Sequence, residues 1–368
     1  MNEFRATGDD VKKLGRTHAH NETLWLGLSG SGAEFSFTGK KAEITLRGDS
    51  TAQGTNNWAR IGIWVNGTRV VDEQVDQAIK RYTVFESETD ETVIVTIVKL
   101  SEAAMSTVGI QHIAVDAEGG IQPTPPKKHK IEIIGDSITC GYGIDDEHAE
   151  HSFSTATEDV TKAYSYRTVQ ALDADYSIVS YSGYGIISGY TDNDAKLLTH
   201  LVPDYYEKWA KSEGRPDGML DPLSVDWDFA QFVPDLVIIN LGTNDDSYAQ
   251  DNLERQTEFA MQYAEFLKTV RHRNDRALIL CTLGIMGDRL YPFVEQAVDQ
   301  YVQETGDTKV TTLKFNLQQA EDGYAADYHP SRKTHRQASE QLVRYIRKRL
   351  PEFNQTNPGW ITASAPAN

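Results

Sequence analysis

The sequence predicts two domains of different class: an all-β antiparallel sandwich, then an α/β domain built on a parallel sheet flanked by helices. Three observations carry this expectation. Residues from about 20 to 118 read as short alternating strands with no helical stretch between them. Residues 119–128, Gly-Gly-Ile-Gln-Pro-Thr-Pro-Pro-Lys-Lys, change to a composition that favours extended, solvated backbone. From residue 130 apolar strands alternate with longer helical patterns. A length of 368 residues suits two domains. The expected division is a sandwich over 1–122, a linker over 123–130 and the α/β domain over 131–368.

In the first domain, alternation marks 33–37, 42–46 and 60–65, the last ending at the hairpin signal Asn66-Gly67. Segments 92–98 and 111–115 continue the pattern. In the second domain, strands are expected at 130–134, 176–181, 235–241, 277–283 and 308–312, with helices at about 161–173, 251–273, 291–305 and 333–349. The tail after Pro351 is polar and proline-bearing, so it reads as loosely held. Trp25, Trp58, Trp64 and Tyr82 offer surfaces on which sugars stack, although core packing is the safer assignment for most of them. Tyr205, Tyr206, Trp209 and Trp227 lie in a long insertion between the second and third strands, placed to wall a crevice.

Composition narrows the partners. A formal charge of −18 repels phosphate backbones and anionic membrane surfaces, so neither nucleic acid nor membrane is expected as a partner, whereas a neutral ester or sugar meets no such penalty. Cys140 and Cys281 are far apart and lack metal-ligand spacing; both read as buried and free. The N-terminus shows no basic start followed by an apolar core, and no stretch approaches 18 uninterrupted apolar residues. Cytoplasmic residence is the expectation, or secretion if a leader has been removed.

Chemistry centres on Ile131-Glu132-Ile133-Ile134-Gly135-Asp136-Ser137, an apolar strand that runs into a tight turn carrying a serine. Gly-Asp-Ser alone is a short pattern, but the glycine loop of 181–189 and Gly242-Thr243-Asn244-Asp245 also follow expected parallel strands. Loops beyond the carboxyl ends of such strands form the ligand crevice, so these motifs meet on one rim. A serine hydroxyl attacks at neutral pH only when a base takes its proton. His329, in Asp327-Tyr328-His329-Pro330 before the last helix, is the best-placed base. His335, six residues on, reads as a surface helical residue, and no histidine pair has convincing metal spacing. The oxyanion formed by attack needs preorganised donors. Candidates are the backbone N–H groups of Ser137 and Gly183 and the side-chain amide of Asn244, although taken alone an ordinary turn for the glycines and a helix cap for Asn244 are equally good readings.

These four blocks resemble, in order, those of the SGNH (GDSL) hydrolases over roughly residues 128–350. Within that superfamily, the preceding β-sandwich, the run Gly-Asp-Ser-Ile-Thr-Cys-Gly-Tyr-Gly and the ending Asp-x-His-Pro-Ser are similar to carbohydrate esterase family 2. The resemblance implies a jelly-roll domain ahead of a flavodoxin-like SGNH hydrolase domain, removal of acetyl groups from plant polysaccharide or its fragments, and oxyanion donors at Ser137, Gly183 and Asn244. Two departures stand out. The superfamily's triad aspartate usually lies three residues before the histidine, where this chain has Ala326, so either Asp327 acts as a displaced acid or a backbone carbonyl leaves a Ser–His dyad. The asparagine that commonly precedes the block's glycine is also missing, which leaves Gly183 and Gly185 hard to separate.

The expected activity is acetylesterase chemistry on an acetylated sugar, with Ser137, His329 and Asp327 as catalytic residues and neither metal nor organic cofactor required. A general short-chain carboxylesterase or thioesterase is the alternative within the same chemistry. A carbohydrate-binding protein without catalysis is the alternative from another class.

Overall fold

Strands in the first domain are longer than the alternation suggests. In the computed structural model, which describes residues 1–54 and 56–354, segments 33–37 and 42–46 belong to one strand, Gly32–Gly48, and 92–98 belongs to Ile79–Lys99. The two pair antiparallel, with register shifts between Gly39 and Lys41 and between Ala42 and Glu43. Bulges bend a strand without ending it. Gly39 therefore marks a bend, where an added Cβ would lie 2.1 Å from the Asp116 carbonyl oxygen. The expected hairpin joins Arg60–Val65 to Thr68–Gln74 through Asn66 (φ 48°) and Gly67 (φ 80°), the positive pair of a type I′ turn. Phe35, Phe37, Ile44, Ile61, Val95 and Ile113 share the sandwich core. The tail beyond residue 354 lies outside the described residues.

The second domain contains β1 (His129–Gly135), β2 (Ala174–Ser180), β3 (Leu236–Asn240), β4 (Leu278–Ile285) and β5 (Val310–Leu317). All pair parallel in the order β2-β1-β3-β4-β5, the flavodoxin-like arrangement, whose chain direction switches between β1 and β3. Its helices are α1 (Ser137–Cys140), α2 (Tyr164–Ala171), α3 (Val202–Tyr205), α4 (Thr243–Ala249), α5 (Leu253–Arg273), α6 (Tyr291–Thr305) and α7 (Arg332–Arg349). Alternate strand residues serve opposite layers. Val237 and Ile239 pack with Phe259, Tyr263 and Val294 of α5 and α6, while Ile131, Ile133 and Ile238 pack with Val169, Leu342 and Ile346 of α2 and α7. Burial of the sheet on both faces explains why its strands are continuous apolar runs. Among the described residues, no helix is long and apolar enough to cross a membrane. Both cysteines are buried and free.

His335 corrects its surface reading, being buried at the junction of α7 and α2. Its Nδ1 accepts the Tyr164 N–H at 3.1 Å, and Tyr164 opens α2 after Ala163, which has no capping side chain. A helix start leaves N–H groups without intrahelical partners, and α7 supplies an acceptor here.

The sandwich packs along the β2 edge. Tyr176 of β2 donates its hydroxyl to the Gly30 carbonyl at 2.8 Å, and Lys12 pairs with Asp175 at 2.5 Å. Arg16, fully buried, reaches Glu132 of β1 at 3.2 Å and the carbonyls of Tyr206 and Lys208. This contact covers a sheet edge that would otherwise expose unpaired backbone groups.

Candidate active site

Ser137 opens α1 immediately beyond β1, and the Asp136 carboxylate caps that helix by accepting the Ile138 N–H at 3.0 Å. The turn closes only on glycine at 135, because a Cβ there would stand 2.0 Å from Thr139 Oγ1. His329 Nε2 lies 2.9 Å from Ser137 Oγ, so the predicted nucleophile and base meet. The other ring nitrogen, Nδ1, lies 3.2 Å from both the Ala326 and the Asp327 carbonyl oxygens. Carbonyls only accept, so Nδ1 carries the proton and Nε2 is left to accept from the serine hydroxyl.

Asp327 corrects its expected part. Its carboxylate accepts the Tyr142 hydroxyl, and only its backbone carbonyl faces the imidazole. The local backbone is the reason: Asp327 (φ 50°) and Tyr328 (φ 57°) both adopt left-handed conformations uncommon for non-glycine residues. That turn is held from outside, the Asp327 N–H donating to His151 O at 2.9 Å and the Tyr328 N–H to Ala149 O at 3.2 Å. Tyr142 also stacks on His329, with ring centroids 3.9 Å apart. Burial pushes His329 down to about 4, with the two carbonyls and the Asp327 charge partly opposing, although part of the residue still reaches solvent.

Beyond β2 the two candidate glycines separate. Gly185 donates its N–H to His200 O at 3.1 Å, and a Cβ there would lie 2.1 Å from Ser188 O and 2.6 Å from the Asp245 carboxylate. Gly183 (φ 80°) has open space where a Cβ would stand, and its N–H donates to no partner among the described residues. Asn244 lies inside the first turn of α4, not at its cap, which is Gly242. Its buried amide donates one N–H to Tyr184 O at 2.8 Å and has a second available.

Two contributors escape the sequence reading. Asp245, fully buried, accepts the N–H groups of Ile186, Ile187 and Ser188 at 2.7–3.2 Å and ties the glycine loop to α4. Burial raises its carboxyl to about 6, against the pull of those N–H groups. Asp136 is pushed up to about 7, by burial and the neighbouring Asp245 charge. Tyr142 is the second, and Gly141-Tyr142-Gly143 was its signal: both glycines have positive φ, and a Cβ on Gly143 would lie 2.6 Å from Ala326 Cβ. Of the aromatic candidates, Trp25, Tyr206, Trp209 and Trp227 are core, while Trp58, Trp64, Tyr82 and Tyr205 keep some exposure.

Among the described residues, two clusters of metal-donor type lie elsewhere. Asp146, His148 and His151 gather on a loop, where both imidazoles bond the Asp146 carboxylate. Glu102, Cys140 and Glu158 gather at the domain junction, close to the Lys99 ammonium. Neither contains Ser137 or His329.

Comparison with known proteins finds relatives of both domains. Residues 13–125 match the family described as carbohydrate esterase 2 N-terminal, and residues 133–337 match the GDSL-like lipase/acylhydrolase family. The chain is 30% identical over 329 residues to the cellulase/esterase CelE of Acetivibrio thermocellus, across 88% of this chain and 37% of that protein, so it spans little more than a third of CelE. It is 24% identical over 350 residues to an acetylxylan esterase / glucomannan deacetylase of Cellvibrio japonicus, across 93% of this chain and 90% of that one. The structure of a family two carbohydrate esterase from Clostridium thermocellum in complex with cellohexaose superposes with a TM-score of 0.79 at 27% identity, covering 93% of this chain and 99% of that one. With a serine turn, glycine loop, asparagine helix and histidine turn on one rim, the chain belongs to the GDSL-like lipase/acylhydrolase family, its hydrolase domain preceded by the N-terminal domain of carbohydrate esterase family 2.

Proposed function

We propose that the chain is a serine esterase that removes O-acetyl groups from plant cell-wall polysaccharides or their oligosaccharides through an acyl-enzyme on Ser137. The observation that carries this reading is the 2.9 Å contact between Ser137 Oγ and His329 Nε2, with donors to spare around it. His329, held neutral at pH 7 by its lowered pKa, takes the serine proton as Oγ attacks the acetyl carbonyl. The Ser137 and Gly183 N–H groups and the second N–H of Asn244 receive the oxyanion. The imidazolium then protonates the departing sugar hydroxyl, and a water activated by the same ring releases acetate. Ser137 and His329 work as a dyad in which carbonyl dipoles, not a carboxylate, fix the tautomer.

Sugar as the substrate rests on the named activities of the relatives, the cellohexaose bound to the solved neighbour, and a net charge that leaves neutral ligands unpenalised. Acetate release from acetylated xylo-, manno- and gluco-oligosaccharides tests the reading, with product positions followed by NMR. Regiospecific loss that disappears in Ser137→Ala is the expected outcome. Undiminished turnover by that folded variant sinks it; equal hydrolysis of longer acyl esters points to a general esterase instead.

A further inference from the structure

We propose that Glu102, a residue of the sandwich domain, is a positioning residue for the hydrolase: its carboxylate grips Ser182 and thereby aims the neighbouring Gly183 N–H at the oxyanion. The inference rests on the esterase reading above, and adds that the active site is incomplete without the first domain.

Glu102 follows the strand Ile79–Lys99 by three residues and is completely buried. Its carboxylate accepts the Ser182 N–H at 3.3 and 3.4 Å and also the Ser182 hydroxyl. Ser182 contributes the carbonyl half of the peptide whose other half is the Gly183 N–H, so a clamp on its backbone and side chain sets the direction of that N–H. Upstream, the Tyr181 N–H donates to Gly135 O and the Tyr181 carbonyl accepts the Tyr184 N–H, both at 3.3 Å, and Ser182, which lies next to Gly183, takes its hold from Glu102. No atom approaches the Gly183 Cβ position within 4 Å, and glycine is the residue most free to rotate. Downstream the loop is secured by Tyr190 N–H to Gly183 O at 2.8 Å, by Asn244 on Tyr184, and by Asp245 on residues 186–188. Glu102 adds the hold on Ser182 itself, the residue that shares a peptide plane with the Gly183 N–H.

The gripping carboxylate is itself anchored at both ends of its residue. Its N–H donates to Glu158 at 2.8 Å, and its carbonyl accepts the Lys99 ammonium at 2.6 Å. Lys99 also donates to the Ser101 carbonyl at 2.7 Å, and the Ser101 hydroxyl accepts the Arg60 N–H at 3.0 Å. Glu102, Glu158 and Lys99 are all without solvent contact. Burial raises both glutamates, and the Glu102 charge raises Glu158 further, while burial lowers Lys99 to about 8. A domain seam needs no such expense: apolar side chains of similar size replace buried charges without loss of stability, and often with gain. What an apolar side chain does not offer is an acceptor for both donors of Ser182.

The test compares Glu102→Ala, Glu102→Gln and Ser182→Ala in the full chain, with an acetylated xylo-oligosaccharide as substrate. Misplacing a catalytic group by about 1 Å costs on the order of 100-fold, so Glu102→Ala is expected to lose about that in kcat with KM within about twofold. Glu102→Gln keeps an acceptor oxygen and is expected to recover most of the loss; Ser182→Ala, which retains its N–H, is expected to fall between. A purely structural seam predicts instead a lower unfolding midpoint with kcat intact, and that result overturns the proposal. So does a loss confined to KM. If Glu102→Ala does not fold, Ser182→Ala decides: wild-type kcat in that variant overturns it, and a lowered kcat at unchanged KM supports it. Activity surviving in Ser137→Ala would be a failure of the esterase reading, separate from either result.

Discussion

On the side of the proposed oxyanion donors, carboxylates hold the backbone: Glu102 takes Ser182, and Asp245 takes the N–H groups of Ile186, Ile187 and Ser188. On the histidine side the nearest carboxylate turns away to Tyr142, and the imidazole is oriented by the carbonyls of Ala326 and Asp327. The difference follows from what each side must do. A loop that presents a row of N–H groups is fixed best by acceptors that carry charge. A ring that must stay neutral to accept a proton is better oriented by dipoles, because an adjacent carboxylate favours the charged form and raises the pKa. Carboxylates bond directly to the loop, whereas only carbonyls bond directly to the imidazole Nδ1.

The comparison breaks or sharpens with measurement. Ser137→Ala is expected to lower kcat for acetate release by on the order of 10⁴–10⁶, whichever side matters more. Asn244→Ala removes a donor and is expected to cost about 10²–10³ in kcat with little change in KM. Asp327→Asn keeps the carbonyl that faces His329, so a loss below about tenfold is expected, where removal of a true triad acid costs about 10⁴. A loss near that larger figure would show that the carboxylate, not the carbonyl, orients the ring. The neutral imidazole is the active form, so kcat/KM should fall as pH drops through about 4, not through the ordinary 6.5, in a steady-state pH profile.

A last expectation concerns stability. His335 stays neutral in the fold down to about 3, while the unfolded chain takes up that proton near 6.5. Stability therefore falls as pH drops below 6.5, because the unfolded chain takes up a proton that the folded His335 does not. His335→Asn retains an acceptor for the Tyr164 N–H without titrating, and its urea midpoints should decline less between pH 6 and 4.

What was legible in the chain was what local pattern determines. The apolar run into Gly135-Asp136-Ser137 announced both a buried strand and the turn beyond it, and the helix expected at 291–305 spans those residues. What was illegible depends on distant contact or on a dihedral angle. Glu102 lies in Leu-Ser-Glu-Ala-Ala, a segment whose pattern does not distinguish it from a solvated glutamate; its partner is 80 residues away. The part of Asp327 stayed open between displaced acid and carbonyl donor because residue type suggests an acid, whereas φ at 327 and 328 decides which oxygen faces the ring. His335 was misassigned because the face of α7 that it occupies is covered by α2, which helical spacing alone does not reveal.

The strand Ile79–Lys99 runs the breadth of the sandwich before the chain turns into Glu102, and this bears on how such a protein is inherited. Modules that only tether a ligand are exchanged freely between genes, because a cut in the linker leaves each piece working. A cut after residue 119 here would strand a glutamate in one fragment and the loop it braces in the other. If Glu102 aims the Gly183 N–H as proposed, recombination that replaced the sandwich with a foreign module would leave the hydrolase its serine and histidine but not that brace, and the two domains would then work only when inherited together.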